Sequence, residues 1–469
     1  MAWTIEDLLA ATGGRLQGQA TAKRFGEIVT DSNKVKKGAV FVALKGDRFD
    51  GHRFVTDAAR RGAACLVVHR AVRALDRRRI TVVKVPDTLR ALGDLAHFRR
   101  ERYAPKVLAI TGSNGKTTTK EMVAAILQQA SLDGKSLKGT VLKTEGNFNN
   151  LVGLPLTLLR LRKSHRVAVI EMGTNRPGEI ARLAEIAAPD VGMITSVAAA
   201  HLEGLNSLAG VTLEKGALFS GVRAGGAIAV NLDDPRVRRL GEKYRGRKIT
   251  YGEGGEVRAE TSGEMSAAGT RFTLRAGRQR RQVRLRFVGR HNIANAVGAA
   301  ALAHALGIGM TAIGRGLERA QPYAMRMQLE SWRGIGIIND AYNANPASMA
   351  AAVETLKKIK GDGRRIAVLG DMFELGKHSR RQHFELGAKL AAAAIDYVCL
   401  LGERATDVKR GALRGGMKPE QIFVARSHGE IGRWLGARIK KGDWLLIKGS
   451  RGMKMELVLP DLKGLRQGE

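Results

Sequence analysis

The spacing of apolar and polar positions divides the chain into three stretches. In residues 1–104, GAVFVALKG and AACLVVH are short apolar runs that predict strands. TLRALGDLAHFRRER has apolar positions three and four apart and predicts a helix, and MAWTIEDLLAATGG predicts a short amphipathic one. DSNKVKKG and KGDRFDGH are polar, glycine-bearing loops beside those strands. From Lys106 the pattern changes. KVLAI is a compact buried strand, TGSNGK a glycine-rich turn, and TTTKEMVAAILQQA a helix with Met122, Val123, Ile126 and Leu127 on one side. HRVAVIEMG, VGMITSV and GGAIAVNLDD continue the strand-like runs with helices between them, which predicts an α/β unit around a mainly parallel sheet. Residues 248–288 alternate in short runs with glycine turns and read as a small β appendage. HNIANAVGAAALAHAL returns to helix. Beyond Gln321 and Pro322, GIGIINDAY, RRIAVLGDM, YVCLLG and DWLLIKGS form a second doubly wound unit of Rossmann type. The expected fold class is α/β, with domains at 1–104, 105–323 and 324–469.

Length and composition fit this division. The chain has 469 residues, and its hydrophobic fraction of 44% is enough for a core in each unit. Cys65 and Cys399 both lie in apolar strand-like runs, which excludes a disulfide framework or a cysteine-rich zinc site and fits a reducing compartment. Glu6 and Asp7 stand where a secretory signal would carry cations, and no apolar run reaches the length of a membrane span. The expectation is a cytoplasmic protein without integral membrane association.

The net charge of +35 invites a nucleic-acid reading, but it divides as +10, +15 and +10 over the three stretches. Excess spread so evenly is a compositional bias rather than a binding stripe. Its densest cluster, residues 275–286, falls on alternating strand pattern and reads as a solvated edge. Aromatic residues are only 5%, which leaves no stacking platform, so no nucleic-acid partner is expected.

The strongest chemical signal joins the strand at KVLAI to the following helix. In Gly112, Ser113, Asn114, Gly115, Lys116, Thr117 and Thr118, glycines let backbone N–H groups curl round phosphates. Lys116 would neutralise β/γ oxygens, the Thr117 hydroxyl would ligate Mg²⁺, and the helix N-terminus adds partial positive charge. Ile110 stands where the longer G-x-x-x-x-G-K-[ST] pattern has glycine, so this is the shorter T-G-x-x-G-K-T variant. Such a loop serves kinases, ATPases and ligases alike. Glu171 ends the buried run VAVIEMG, at the carboxyl edge where α/β folds bind ligands, and can hold Mg²⁺ opposite Thr117. His201 follows another strand and can ligate a second cation as a neutral imidazole. Asn292 and Asn295 can hydrogen-bond a nucleoside edge. Asn345 and Pro346 read as N-cap and first residue of a helix. Lys215, by composition alone, is a solvated lysine.

Read in order, TGSNGKTTTK, TEGNFNNLVGLP, EMGTNRPGEI, AHLEGLNSLAGV, LEKGALF, GRHNIANAVGAAALA, INDAYNANPASM, VLGDMFELG and IKGSRGMKME resemble the motifs of the Mur ligase family over most of residues 107–456. The segment DSNKVKKGAVFVALKGDRFDGH, together with Asn147, Asn149 and Asn150 and with DAYNANP, resembles the member that adds D-alanyl-D-alanine. Its siblings, which add single amino acids, and the folylpolyglutamate synthases are the alternatives. The resemblance implies the three-domain Mur ligase architecture: a UDP-substrate domain, a central P-loop ATP domain and a C-terminal Rossmann-like domain for the amine. It implies ATP and Mg²⁺ as cofactors, UDP-N-acetylmuramoyl-tripeptide and D-alanyl-D-alanine as substrates, and a monomer.

Residue by residue, the resemblance implies Ser32, Lys45, Asp50 and His52 at the uridine diphosphate, with Asn33 where the family often has arginine. Asn147, Asn149 and Asn150 face substrate. Asn295, Asp340 and Asn343 meet the nucleotide, and Arg326 reaches the γ-phosphate. Tyr342, Asn345, Lys448, Ser450 and Arg451 lie toward the amine. It implies a carbamylated lysine at Lys215, which together with Thr117, Glu171 and His201 completes the metal ligands. Apolar neighbours such as Leu213, Leu218 and Phe219 would keep that amine neutral, and Ala217 replaces an expected glutamate. Lys116, Lys215, His201 and Arg326 are the residues expected to carry catalysis.

Overall fold

The computed structural model describes residues 2–46, 49–72, 80–260, 264–266, 269–359 and 363–464. Asp47 and Arg48, in the segment compared with the UDP-binding motif, lie outside them. In the first sheet Ile28–Val29, Val40–Val42, Cys65–Val68 and Thr81–Lys84 run parallel, and Arg15–Leu16 closes the far edge antiparallel. Every residue of Val40–Val42 and Cys65–Val68 is buried, as unbroken apolar runs in a covered parallel sheet require. Cys65 and Cys399 are buried free thiols in strands.

The helix Thr88–Tyr103 starts at Asp87, whose carboxylate accepts from the N–H groups of Leu89 and Arg90. Its Leu92, Leu95 and Ala96 enter a core that contains Val40 and Val67 of the first sheet and Val107, Ala168 and Ile170 of the second. One helix therefore walls two sheets. Arg100 is fully buried there and donates to the carbonyls of Ala187 and Ala188 and to the Asp190 carboxylate. The N-terminal helix Ile5–Thr12 forms, with a capping box between Thr4 and Asp7, and Arg102 grips Asp7 with two hydrogen bonds.

The second sheet has ten strands. Val141–Lys143, Val167–Glu171, Lys106–Thr111, Val191–Ile194, Ala227–Asn231 and Arg247–Tyr251 lie side by side in parallel. The expected small β appendage continues the central sheet. Arg247–Tyr251 belongs to the parallel array, and Val257–Ala259, Gly269–Ala276 and Gln279–Leu285 extend the same sheet, the last two antiparallel. The reason is a shared core: Phe272, Leu274, Val283 and Leu285 pack in one cluster with Leu108, Met193 and Tyr251 beneath the helix Arg290–Ala305. The arginine cluster is the solvated edge that its alternation suggested. Gln279–Leu285 pairs only with Gly269–Ala276 among the described residues, and Arg280 and Arg284 point outward.

The third sheet joins Ile335–Asp340, Trp444–Lys448, Arg365–Gly370, Tyr397–Leu401 and Ile422–Ala425 in parallel, and Gln328–Trp332 caps its edge antiparallel. Two crevices matter for function. In the second sheet Lys106–Thr111 has Val167–Glu171 on one side and Val191–Ile194 on the other, so the connections after these strands leave a topological switch point. In the third sheet Asp340 and Leu369 both pair with Lys448, which brings three strand ends to one edge. The two edges face each other across the site.

Candidate active site

The phosphate loop leaves Lys106–Thr111 and enters the helix Lys116–Leu127 through Gly115, whose φ of 82° lies in the left-handed region. Gly112 has φ 148°, and a β-carbon there would sit 1.9 Å from the Thr195 hydroxyl. A β-carbon on Gly115 would sit 2.2 Å from the Asn295 side-chain oxygen. The two glycines are thus fixed by close packing, as well as by backbone conformation. Gly115 offers no side-chain cap, so the first N–H groups of the helix are left for a ligand. Ser113 braces the loop by exchanging hydrogen bonds with the Ala198 backbone.

Lys116 Nζ donates to the carbonyl of Gly112 in its own loop at 2.7 Å. Burial holds its pKa below the ordinary lysine value; Glu171 opposes that shift and Arg326 adds to it. Thr117 is buried, and its hydroxyl has no hydrogen-bond partner among the described residues. Glu171, only 2% exposed, ends the neighbouring strand. Its Oε1 accepts from the Asn149 amide at 2.8 Å, and its Oε2 is buried without a hydrogen bond. A carboxylate with an orphaned oxygen, beside a free hydroxyl and a phosphate loop, is a donor set that suits a hard divalent cation.

Lys120, not singled out in the sequence, is the nearest compensating charge. It is fully buried 3.9 Å from Glu171 Oε2, pairs with Glu121, donates to the Thr144 carbonyl and lies over the Tyr323 ring. Its signal was its place one helical turn after Lys116. Lys215 lies in the helix Leu208–Ser220, only 1% exposed, with no hydrogen-bond or ion-pair partner among the described residues. It is therefore not solvated. Burial, helped by the charge of Lys116 and opposed by Glu214, lowers its pKa to about 7. Leu213 does not shelter it, being 78% exposed on the outer face of the helix. Glu214 is spent on the backbone N–H groups of Gly178 and Ile180 and the Thr174 hydroxyl.

The C-terminal unit completes the site. A cavity of about 290 Å³ lies between the phosphate loop and the third sheet. Asn114, Thr118, Asn292 and Asn295 line one side. Arg326, Asp340, Tyr342, Asn343, Asn345 and Lys448 line the other. Asn295 donates to Asn292, which donates to the Val288 carbonyl. Asn345 caps the helix Pro346–Lys358 as expected, and its amide reaches Asn114 of the phosphate loop at 2.8 Å. The Arg326 guanidinium stacks 4.1 Å from the Tyr342 ring centroid, with its Nε buried and unpartnered, between Met325 and Met327, both at positive φ. Lys448 is buried, with its ammonium on the Asp340 carboxylate at 2.6 Å and the Asn343 carbonyl at 2.9 Å, so it shapes the Asp340 loop. Ser450 is likewise buried and accepts from Phe373 N–H, whereas Arg451 is half-exposed beside Glu456. His291, also missed in the sequence, faces the cavity with its pKa lowered by burial.

Across the same divide His201 Nδ1 meets Glu374 Oε2 at 2.6 Å. That contact holds the Glu374 carboxyl below the ordinary range. The other substrate candidates are dispersed. Asn150 caps Val152 and Gly153, and Asn147 is exposed. In the first unit Ser32 is buried and Lys45 exposed. His52 uses both ring nitrogens internally, on Asp50 and on the His69 N–H, and Arg70 reaches Asp50 at 2.7 Å. Burial is the main reason that the His52 pKa is lowered.

Three family models cover the chain in sequence: the Mur ligase family catalytic domain at residues 24–100, the Mur ligase middle domain at 110–303, and the Mur ligase glutamate ligase domain at 325–451. The chain is 38% identical over 464 residues to the UDP-N-acetylmuramoyl-tripeptide--D-alanyl-D-alanine ligase of Escherichia coli, covering 98% of each. It belongs to the Mur ligase family. MurF from Acinetobacter baumannii superimposes with a TM-score of 0.90 at 34% identity, covering 99% of both chains. MurF ligase from Thermotoga maritima, solved in complex with ADP, gives 0.83 at 29% identity over 96% of this chain and 99% of that one. The chain is thus an ATP-dependent amide-bond ligase with the Mur ligase architecture. Among the described residues no helix is long and apolar enough to cross a membrane.

Replacing Lys116 with alanine removes the one flexible cation of the phosphate loop. Lys116→Ala is expected to lower ATP turnover at least about 100-fold without unfolding the protein. Turnover within tenfold of the native enzyme, with an unchanged melting temperature, would place the ATP site elsewhere.

Proposed function

We propose that this ligase joins D-alanyl-D-alanine to UDP-N-acetylmuramoyl-tripeptide in cytoplasmic peptidoglycan precursor synthesis, acting as a monomer. The observation that carries the reading is the end-to-end similarity to relatives bearing that activity in their names. In this reading residues 1–104 hold the UDP moiety, with Ser32, Lys45, Asp50 and His52 around it, His52 setting the loop and Lys45 free to meet phosphate. Residues 105–323 hold ATP, and residues 324–469 bring the amine.

The reaction has two steps. A tripeptide carboxylate oxygen attacks the γ-phosphorus, the bond to the ADP oxygen breaks, and an acyl phosphate forms. The D-alanyl-D-alanine amine then attacks the acyl carbon, inorganic phosphate leaves with the C–O bond electrons, and the amine proton passes to solvent. Lys116 exchanges the Gly112 carbonyl for β/γ oxygens, and the N–H groups of Gly115 to Thr118 receive the phosphates. Arg326, already desolvated on Tyr342, faces the charge that builds on the transferred group. Asn292, Asn295, Asp340 and Asn343 orient the nucleoside. Asn147, Asn149 and Asn150 border the path of the tripeptide. Tyr342, Asn345, Ser450 and Arg451 frame the amine, and Lys448 fixes the loop that presents them.

Thr117 and Glu171 suit one Mg²⁺, and His201 with Lys215 a second. Bound there, the cations screen phosphate charge. A bare ammonium at Lys215 would repel them, and a carbamate would attract them. Burial without a partner and a pKa near 7 support carbamylation, because the uncharged amine is the form that adds carbon dioxide. Ala217 leaves Lys215 without the neighbouring carboxylate expected from the family.

Phosphate release is expected to need ATP, UDP-N-acetylmuramoyl-tripeptide and D-alanyl-D-alanine together, measured by omitting each in turn. Equal turnover with glutamate or a single L-amino acid would transfer the assignment to a sibling ligase.

The carbamate has its own signature. Labelled ¹³C-bicarbonate should give one protein-bound carbamate resonance that is lost in Lys215→Ala. Since the amine is mostly protonated below pH 7 and mostly neutral above it, recovery of carbon-dioxide-depleted enzyme at a fixed concentration of dissolved carbon dioxide should quicken as pH rises through about 7. Millimolar formate or acetate should partly restore Lys215→Ala. Full activity in carbon-dioxide-depleted buffer, with no such resonance, would exclude the modification.

A further inference from the structure

His201 and Glu374 belong to different units, and among the described residues theirs is one of two side-chain to side-chain hydrogen bonds between residues 105–323 and 324–469, with Asn345 to Asn114 as the other. Each partner is held by its own unit. His201 sits at φ 55°, ψ 33°, a left-handed conformation that is costly for a residue with a β-carbon, at the start of the turn Leu202–Leu205. That turn is pressed onto the segment after Glu171, since a β-carbon on Gly204 would lie 2.0 Å from the Asn175 carbonyl. On the other side, the connection after Arg365–Gly370 is tied to the third sheet. Ser450 N–H donates to the Asp371 carbonyl, and Phe373 N–H donates to Ser450 Oγ. Glu374, itself at φ 62°, aims its carboxylate at His201, and its carbonyl accepts from Glu203 N–H at 3.3 Å.

The chemistry of the pair is directional. With Nδ1 on the carboxylate, the ring is oriented and Nε2 is turned away from Glu374. That atom has no partner among the described residues. A carboxylate behind a histidine locks the ring plane and aims the far nitrogen, the arrangement found behind metal-bound histidines. Here the carboxylate comes from one unit and the histidine from the other, so the arrangement exists only when the two are docked.

We propose that Glu374 is a positioning residue that couples docking of the C-terminal unit to cation binding at His201. The inference rests on the reading of His201 as a cation ligand. Docking raises the affinity of His201 Nε2 for the cation, and by linkage the cation favours the docked state by the same factor. Phosphoryl transfer is thereby favoured when the unit that carries the amine is in place, and the acyl phosphate is less exposed to water.

Mn²⁺ is the probe. It is titrated by electron paramagnetic resonance into the full chain with a non-hydrolysable ATP analogue and UDP-N-acetylmuramoyl-tripeptide, with small-angle scattering on the same samples. The native chain should bind two Mn²⁺ and contract as the second binds. Glu374→Ala should weaken the second site by about 10–100-fold, leave the first within twofold, and shift the contraction to correspondingly higher Mn²⁺. Glu374→Gln keeps an acceptor without the charge and should fall between. Glu374 is half-exposed, so melting temperatures without ligand should agree. Unchanged second-site affinity in Glu374→Ala overturns the proposal, even if the units separate. If His201→Ala still binds two Mn²⁺ with native affinity, the ligand reading itself is wrong, an outcome distinct from a native-like Glu374→Ala beside a defective His201→Ala.

Discussion

Burying charge without a full set of partners is expensive, and this fold concentrates such charge at one place. Glu171 keeps a buried oxygen with no hydrogen bond, Lys116 is satisfied only by a carbonyl of its own loop, and Lys215 has no partner among the described residues. An unpaired buried ion costs several kcal/mol, so such groups persist where a ligand supplies the missing charge. In the proposed reading a polyanion with divalent cations completes this set: cations for Glu171 and phosphate oxygens for Lys116. Lys120 alone is fully provided for in the free protein, with Glu121, the Thr144 carbonyl and the Tyr323 ring, and it keeps the neighbourhood of Glu171 from being wholly anionic.

The architecture explains why those groups meet. A parallel sheet sends its connections out at the carboxyl edge, and the neighbours of Lys106–Thr111 come from opposite directions of winding. The phosphate loop, Glu171 and the segment leading to His201 therefore leave adjacent strands. The third sheet repeats the device with Asp340 and Lys448, and the cavity lies where the two edges face each other. Neither edge makes a complete site. In the proposed reading the first supplies the groups for phosphate and cation. The second supplies Arg326 and the asparagine-rich loop, with Glu374 reaching back to His201.

Much of this was legible in the sequence, because it follows from local pattern. The strand, glycine turn and helix at residues 106–127, the Asn345 cap with Pro346, and the buried cysteines all depend on neighbours in the chain. Strands 269–276 and 279–285 were legible as strands but not as part of the central sheet, since alternation reports which face is buried and not what buries it. Lys215 was misread as solvated for a related reason: helical position alone does not say which face a second layer covers. Leu213, apolar yet exposed, is the converse case. Lys120, His291 and Glu374 were missed because what gives them their places, Glu171, the cavity and His201, is brought together from parts of the chain tens to hundreds of positions away. Their only local signals were a lysine one turn after Lys116, the histidine of GRHNIAN and the glutamate of DMFELG.

In the proposed reading the orphaned charges at the carboxyl edge of the second sheet are the ATP and cation site, closed by the third sheet. Its most direct test is a crystal structure with a non-hydrolysable ATP analogue and Mn²⁺, in which anomalous scattering locates the metal. The account predicts phosphates along residues 112–118, Lys116 withdrawn from the Gly112 carbonyl, and a Mn²⁺ peak shared by Thr117 Oγ1 and Glu171 Oε2. Nucleotide bound elsewhere, or Glu171 Oε2 still without a cation beside bound phosphates, would contradict it.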